Sequence, residues 1–284
     1  MDDETRKFIS IKKEITYQFY ELENQPKQKS LIVWFHGNAE SDCLFSKNNV
    51  TQMIANRGTV AWATKEAQEA FDGAYVMAFQ APETWYYAQS KGYLKTAYDE
   101  IMEVVKKYDI AKDRLFIAGC SAGGYMTTRM ILAYPTLFQA AAIVCPALDV
   151  ATKRGGQTPT DEELNTLKHI KTKIWLVQAD NDTVVKTVDC ADRIYRIVGE
   201  GKETISTIQG GYTYEKDNII YTKYNTVKKD QDAMFTYQED NDHDGVMETV
   251  YYLSHWTWIH ASNNDPVKAN GMHLWQWLGQ RREQ

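Results

Sequence analysis

Gly119-Cys120-Ser121-Ala122-Gly123 ends the apolar run "RLFIAG" and opens a stretch of small residues. A serine hydroxyl attacks a carbonyl carbon only when it stands on an exposed bend and a neighbouring base takes its proton. The G-x-S-x-G spacing meets the first need. A sharp strand-to-helix bend strains the serine backbone, and small neighbours leave it room. The amide that follows, that of Ala122, then faces the carbonyl oxygen, and the helix N-terminus adds positive potential there. A capping serine in a small-residue turn is the competing reading. The buried strand before it and the helical pattern after it favour the nucleophile.

A serine nucleophile needs a base, and the base needs an orienting acid. On this type of bend their chain order is serine, acid, histidine. The stretch "IWLVQADNDTVV" sets Asp180 and Asp182 just past a late apolar run. Asp182 is favoured because Thr183-Val184-Val185 lead toward the next helix, whereas Asp180 suits a turn or cap. Six histidines occur: His36, His169, His243, His255, His260 and His273. His255 directly follows "VMETVYYL" and is the favoured base, with His260, five residues on, as the alternative. His273 is expected inside the last helix, His243 in a solvated acidic turn, and His169 ahead of a strand, far from the active end of the sheet. The backbone amide of Asn38, just after His36-Gly37, is the candidate second donor to a carbonyl oxygen. Gln80, Trp85 and Trp258 are candidates for a pocket wall, with packing as the competing role of each.

These groups meet only if the surrounding elements bring them together. Residues 30–37 ("SLIVWFHG"), 73–82, 114–119, 140–146 and 173–179 are apolar runs of the kind buried on both faces of a sheet. Leu94, Ala97, Ile101, Val104 and Val105 recur at helical spacing within 91–108. Further helices are expected from the serine to about 133, over about 185–198 and over about 267–281. Residues 8–20 read as an early strand or hairpin. The alternation predicts the α/β class, with a doubly wound, mostly parallel sheet. Residues 203–253, rich in Tyr, Thr, Ile and Val, break the rhythm. They predict a β-hairpin insertion at about 203–245 and a last sheet strand at 246–253, all within one domain spanning 1–284.

Composition narrows the field. With 284 residues, 43% of them hydrophobic, the chain can bury a large core. A formal net charge of -6 disfavours nucleic acid as a partner. No run of 18 apolar residues predicts a membrane span. The cysteines Cys43, Cys120, Cys145 and Cys190 form no C-x-x-C pair, so neither a zinc site nor a redox motif is expected, and Cys120 and Cys145 read as buried thiols. The opening "MDDETRKF" lacks an apolar core, so a cytoplasmic location is expected, or export with a leader already removed. Asp240-Asn241-Asp242-His243-Asp244-Gly245 matches the first half of a calcium loop, but its twelfth position is Tyr251 rather than Glu. A charged hairpin turn is the favoured reading, with Asp240, Asp242 and Asp244 as the weaker calcium candidates.

Taken together, these blocks resemble the α/β-hydrolase superfamily. More narrowly, they resemble bacterial esterases and predicted peptidases related to polyhydroxybutyrate depolymerases and feruloyl esterases. "WFHGNAESD" resembles that group's H-G-x-G-E-x-x-D block, with Asn38 and Ala39 in the region usually rich in glycine. "VMAFQAPETW" resembles P-Q-x-P-x-x-W, with Phe79 in place of the first proline. "DRLFIAGCSAGGY" resembles the nucleophile block and "IWLVQADNDTVV" the W-x-x-H-G-x-x-D-x-x-V block, which puts the acid at Asp182. "SHWTWIHASNND" resembles G-H-x-x-W, with Ser254 for the glycine, which puts the base at His255 and Trp258 beside it. The resemblance implies an α/β-hydrolase fold and ester hydrolysis without a cofactor.

The combined expectation is a serine carboxylesterase of feruloyl or acetyl ester type. Ser121, Asp182 and His255 form its triad, and the Ala122 and Asn38 amides form its oxyanion hole. The substrate is a small-molecule or carbohydrate-linked ester. Two alternatives stand beside it: a serine peptidase of the same fold, and a non-catalytic binding protein built on that fold.

Overall fold

The computed structural model describes residues 7–22, 29–40, 51–54, 58–227, 236–239, 246–251 and 253–280. Its strands are β1 (Phe8–Ile11), β2 (Tyr17–Tyr20), β3 (Lys29–Phe35), β4 (Ala74–Phe79), β5 (Ile110–Cys120), β6 (Ala140–Val144), β7 (Lys173–Ala179), β8 (Thr204–Ile208), β9 (Gly211–Glu215), β10 (Ile219–Tyr224), β11 (Thr236–Glu239) and β12 (Glu248–Tyr251). Among the described residues, β1 to β10 form one sheet in the order β1-β2-β4-β3-β5-β6-β7-β10-β9-β8. The central run from β4 to β10 is parallel, and an antiparallel pair extends each edge.

The apolar runs become the centre of this sheet. All six residues of β4 and all five of β6 are buried, as expected where helices cover both faces. The helices Tyr93–Tyr108, Ala122–Ala133 and Ala191–Val198 alternate with the strands. The first of these buries Ala97, Ile101 and Val104 at the predicted spacing, together with Glu100, whose Oε1 accepts the Ile15 amide at 3.0 Å. Parallel strands joined by helices put all the strand C-termini at one rim. Ser121, Asp182 and the turn after β3 therefore share that rim.

Three expectations are corrected here. The last strand of the main sheet is β10, not residues 246–253. Strand β12 instead pairs antiparallel with β11 in a separate two-stranded ribbon. Both segments combine Tyr with β-branched residues, but Ile219–Tyr224 is buried at every position except Lys223 and aligns parallel to β7, so it continues the core. The hairpin β8-β9 does precede that last strand, but it extends the sheet edge. The final helix covers only Leu274–Gly279. His273 caps its start in extended backbone, and its Nδ1 donates to the Asn264 carbonyl at 2.7 Å. The helix expected over 185–198 is a 3-10 turn, Thr187–Asp189, followed by Ala191–Val198. No described helix is long and apolar enough to cross a membrane. Cys43, His243, Asp240, Asp242 and Asp244 lie outside the described residues.

Candidate active site

Ser121 sits between β5 and the helix Ala122–Ala133 with φ 56° and ψ -118°, a strained conformation for a residue with a side chain. Two close approaches hold the bend. A β-carbon on Gly119 would lie 2.4 Å from the Gly123 carbonyl oxygen, and one on Gly123 would lie 2.0 Å from that of Phe35. Only glycine allows such backbone contact. The loop after β6 buttresses the bend: the Ser121 amide donates to Val144 at 3.0 Å, and the Ala147 amide donates back to Ser121 at 3.1 Å. Cys145, between them, adopts φ 36°.

His255 Nε2 lies 2.9 Å from Ser121 Oγ, and His255 Nδ1 lies 2.7 Å from Asp182 Oδ2. An ionised carboxylate only accepts hydrogen bonds, so Nδ1 carries the proton and Nε2 is left to accept the serine hydroxyl. The Asp182 side chain is fully buried and that of His255 is nearly so. Burial alone would raise the Asp182 carboxyl. The hydrogen bond and charge of His255, with the Val185 and Val184 amides, outweigh it and hold the group below its ordinary value. Gln178 Nε2 adds a fourth donor at 3.2 Å.

The alternatives are engaged elsewhere. Asp180 pairs with Lys223 Nζ at 2.7 Å. His260 Nδ1 meets Asp265 at 2.8 Å, and its ring stacks on Tyr224 with centroids 3.9 Å apart. That stack ties the helix Trp258–Ser262, which follows His255, to the end of β10.

The Ala122 amide begins a helix and the Asn38 amide begins a 3-10 turn, so neither has an acceptor within its own turn. The close approach of Gly123 to Phe35 and His36 carries the start of the helix against the end of β3, which leads to Asn38. Asn38 Oδ1 also accepts from Thr84 Oγ1 at 2.6 Å, tying this turn to the loop after β4.

Gln80 and Trp85, two of the pocket-wall candidates, make packing and hydrogen-bond contacts under the turn after β3. Both are buried in the support beneath the turn. Gln80 Nε2 donates to the Glu40 carbonyl and to His36 Nε2, and the Ala81 amide donates to His36 Nε2 at 3.0 Å. Nε2 therefore accepts, and the His36 Nδ1 proton goes to the Gly37 carbonyl. Burial lowers the His36 pKa to about 4, so the ring is neutral. Trp85 stacks edge-on against Phe35 at 5.0 Å and tilts against His36 at 5.5 Å. Trp258 packs perpendicular to His255 at 5.9 Å. The sequence reading missed His36, Gln178, Glu40 and Thr84. All four stand in quoted blocks, but none carries a period that marks its partner.

Residues 80–206, less than half of the chain, match the Prolyl oligopeptidase family. No curated protein matches. A solved thermostable esterase superposes with a TM-score of 0.62 at 22% identity, covering 92% of this chain and 61% of its own. This chain thus spans less than two thirds of that protein's length. The acetyl xylan esterase from Aspergillus awamori gives 0.57 at 12% identity, covering 76% of this chain and 92% of its own. Est1E from Butyrivibrio proteoclasticus gives 0.51 at 12% identity, covering 77% and 88%. The chain has the α/β-hydrolase fold.

Proposed function

We propose that this α/β-hydrolase-fold chain is a serine hydrolase that cleaves carboxylic esters through an acyl-enzyme. The observation that carries the reading is the pair of hydrogen bonds from Ser121 to His255 at 2.9 Å and from His255 to Asp182 at 2.7 Å. Ser121 Oγ attacks the ester carbonyl as its proton passes to His255 Nε2. The anion that forms on the carbonyl oxygen is held by the Ala122 and Asn38 amides. As the tetrahedral intermediate collapses, the same proton goes to the departing alkoxide and Ser121 is left acylated. Water, deprotonated by His255, then releases the acid and restores the serine. Asp182 keeps the His255 tautomer and stabilises its cation. The cycle uses the chain's own side chains, backbone amides and water.

Two further observations support an ester substrate. The thermostable esterase and the acetyl xylan esterase are among the structural neighbours. Exposed apolar residues also neighbour the triad in sequence. Val184 and Val188 follow Asp182, and Leu253 precedes His255, at 44%, 66% and 45% exposure. Apolar residues next to a triad suit an apolar or aromatic acyl group. One observation favours a second reading, that of a serine peptidase: the match of residues 80–206 to the Prolyl oligopeptidase family.

The deciding assay compares p-nitrophenyl esters of graded acyl length, feruloyl and acetyl esters, and peptide amides on wild type and Ser121→Ala. Ester turnover that is lost in Ser121→Ala is the expected result. Turnover of peptides alone would select the peptidase. No Ser121-dependent turnover of any substrate would mean a binding protein.

A further inference from the structure

Gln178 is buried at the site and has no part in the steps above. It lies on β7, a strand otherwise apolar from Ile174 to Ala179, and it is fully buried. Burying an uncompensated amide costs stability, so both ends of this side chain need partners. Nε2 donates to Asp182 Oδ2 at 3.2 Å, and Oε1 accepts from the Ala191 amide at 3.3 Å. These partners fix its orientation. A carboxylate only accepts and a backbone amide only donates, so the side chain fits one way round.

The hydrogen bonds to Asp182 divide between its two oxygens. Oδ1 takes the Val184 and Val185 amides, at 2.8 and 3.0 Å, from the loop's own backbone. Oδ2 takes His255 Nδ1 at 2.7 Å and Gln178 Nε2. Among the described residues, Gln178 is thus the one side chain besides His255 that donates to this acid, and the two share an oxygen. The other end of the Gln178 amide holds the first residue of the helix Ala191–Val198, where the loop after Asp182 ends. One amide therefore closes that loop and sets the rotation of the carboxylate within it. The middle of the loop has separate ties. Thr187 Oγ1 donates to the Ala179 carbonyl at 3.2 Å, and Asp149 accepts the Lys186 amide at 3.0 Å and Cys190 Sγ at 3.4 Å. None of these three bonds touches the carboxylate.

We propose that Gln178 is a positioning residue of the triad: its amide aims Asp182 Oδ2 at His255 Nδ1 and so keeps the base turned toward Ser121. The proposal rests on the reading of Ser121 as nucleophile. With Gln178 in place, both lone pairs of Oδ2 are engaged, and the carboxylate cannot turn without breaking bonds at both oxygens. Without Gln178, a lone pair of a fully buried carboxylate is left empty and His255 alone holds that oxygen. A carboxylate that turns carries the imidazole with it, and Nε2 moves out of line with Ser121 Oγ. Gln178 acts through Asp182 and touches no reacting atom. Its loss slows the chemical step and leaves substrate binding alone.

The test is steady-state kinetics of a p-nitrophenyl ester on wild type and Gln178→Met, a substitution that keeps the length of the side chain and removes both polar ends. In the variant kcat should fall about tenfold to a hundredfold, with KM within about twofold of wild type. Proton NMR of the same variant adds a readout that packing alone would not move. The His255 Nδ1 proton should shift, because its acceptor oxygen has lost a second donor. A folded Gln178→Met with wild-type kcat overturns the proposal. So does a loss carried by KM at constant kcat, or an unmoved Nδ1 proton.

A second measurement, on wild type, covers a variant that fails to fold. The Gln178 side-chain amide protons, assigned through bonds by proton–nitrogen NMR, should exchange slowly with solvent. They should shift together with the His255 ring as that ring is protonated. Such a joint shift supports the proposal, and amide protons that ignore the His255 titration overturn it. If wild type hydrolyses no ester or peptide at all, the nucleophile reading has failed. The amide titration needs no turnover and still reports whether Gln178 is joined to His255 through Asp182, so the two failures are told apart.

Discussion

The α-carbon of Gly123 lies so close to β3 that a β-carbon on it would stand 2.0 Å from the Phe35 carbonyl oxygen and 2.5 Å from that of His36. This contact seats the start of the serine helix against the turn that holds Asn38. Gly123→Ala forces the two apart. It should cost about 1–3 kcal/mol of stability and lower kcat about a hundredfold. Thermal melting and ester kinetics on the same preparation check both. A variant with wild-type kcat would show that the approach does not align the two amides.

Asp182 fixes which nitrogen of His255 bears the proton. Asp182→Asn presents a donor or an acceptor with equal ease and lets the wrong tautomer form. The fall in kcat should be about ten-thousandfold, with the fold retained. Proton NMR of the His255 ring in the variant should report the changed tautomer.

Thr84 reaches Asn38 from a separate loop with a 2.6 Å hydrogen bond. Thr84→Val keeps the volume and removes the donor. With the turn less firmly held, kcat should fall about tenfold while KM changes little. A rise in KM at constant kcat would instead assign Thr84 to ground-state binding.

The buried Glu40 carboxyl also makes stability depend on pH. Glu40 is raised on folding from 4.5 to about 8, so between those values the unfolded chain ionises and the folded one does not. Its contribution is therefore full below 4.5 and is lost as pH rises to about 8. The thermal midpoint of Glu40→Gln should gain on wild type as pH is raised across that window. A constant difference between the two proteins would contradict it.

Arg114 offers a control remote from the chemistry. Its guanidinium holds Ser30 Oγ at 2.8 Å, the Gly279 carbonyl at 2.6 Å and the Phe71 carbonyl, at the opposite end of β5 from the serine. Arg114→Met leaves buried acceptors unsatisfied and should cost about 3 kcal/mol or more. Activity of the folded fraction should stay near wild type, as measured by active-site titration.

Much of this could be read from the sequence alone, for reasons that are local. A strand buried on both faces must be apolar throughout, so the centre of the sheet and its α/β class were legible in five runs of residues. The strained bend at Ser121 admits only small neighbours, so its position was legible too. The identity of the last strand was not. Ile219–Tyr224 and Glu248–Tyr251 both combine Tyr with β-branched residues, and which one joins β7 depends on pairing that no short segment encodes. The same limit applies to the site. The order of serine, acid and histidine narrowed the candidates but left Asp180 and His260 open. Only the folded chain, by pairing Asp180 with Lys223 and His260 with Asp265, leaves Asp182 and His255 facing Ser121. The support beneath the turn, formed by His36, Gln80 and Glu40, was hidden altogether. Its hydrogen bonds join the turns after β3 and β4 across 40 to 45 residues, and a contact between distant segments leaves no periodic trace in either one.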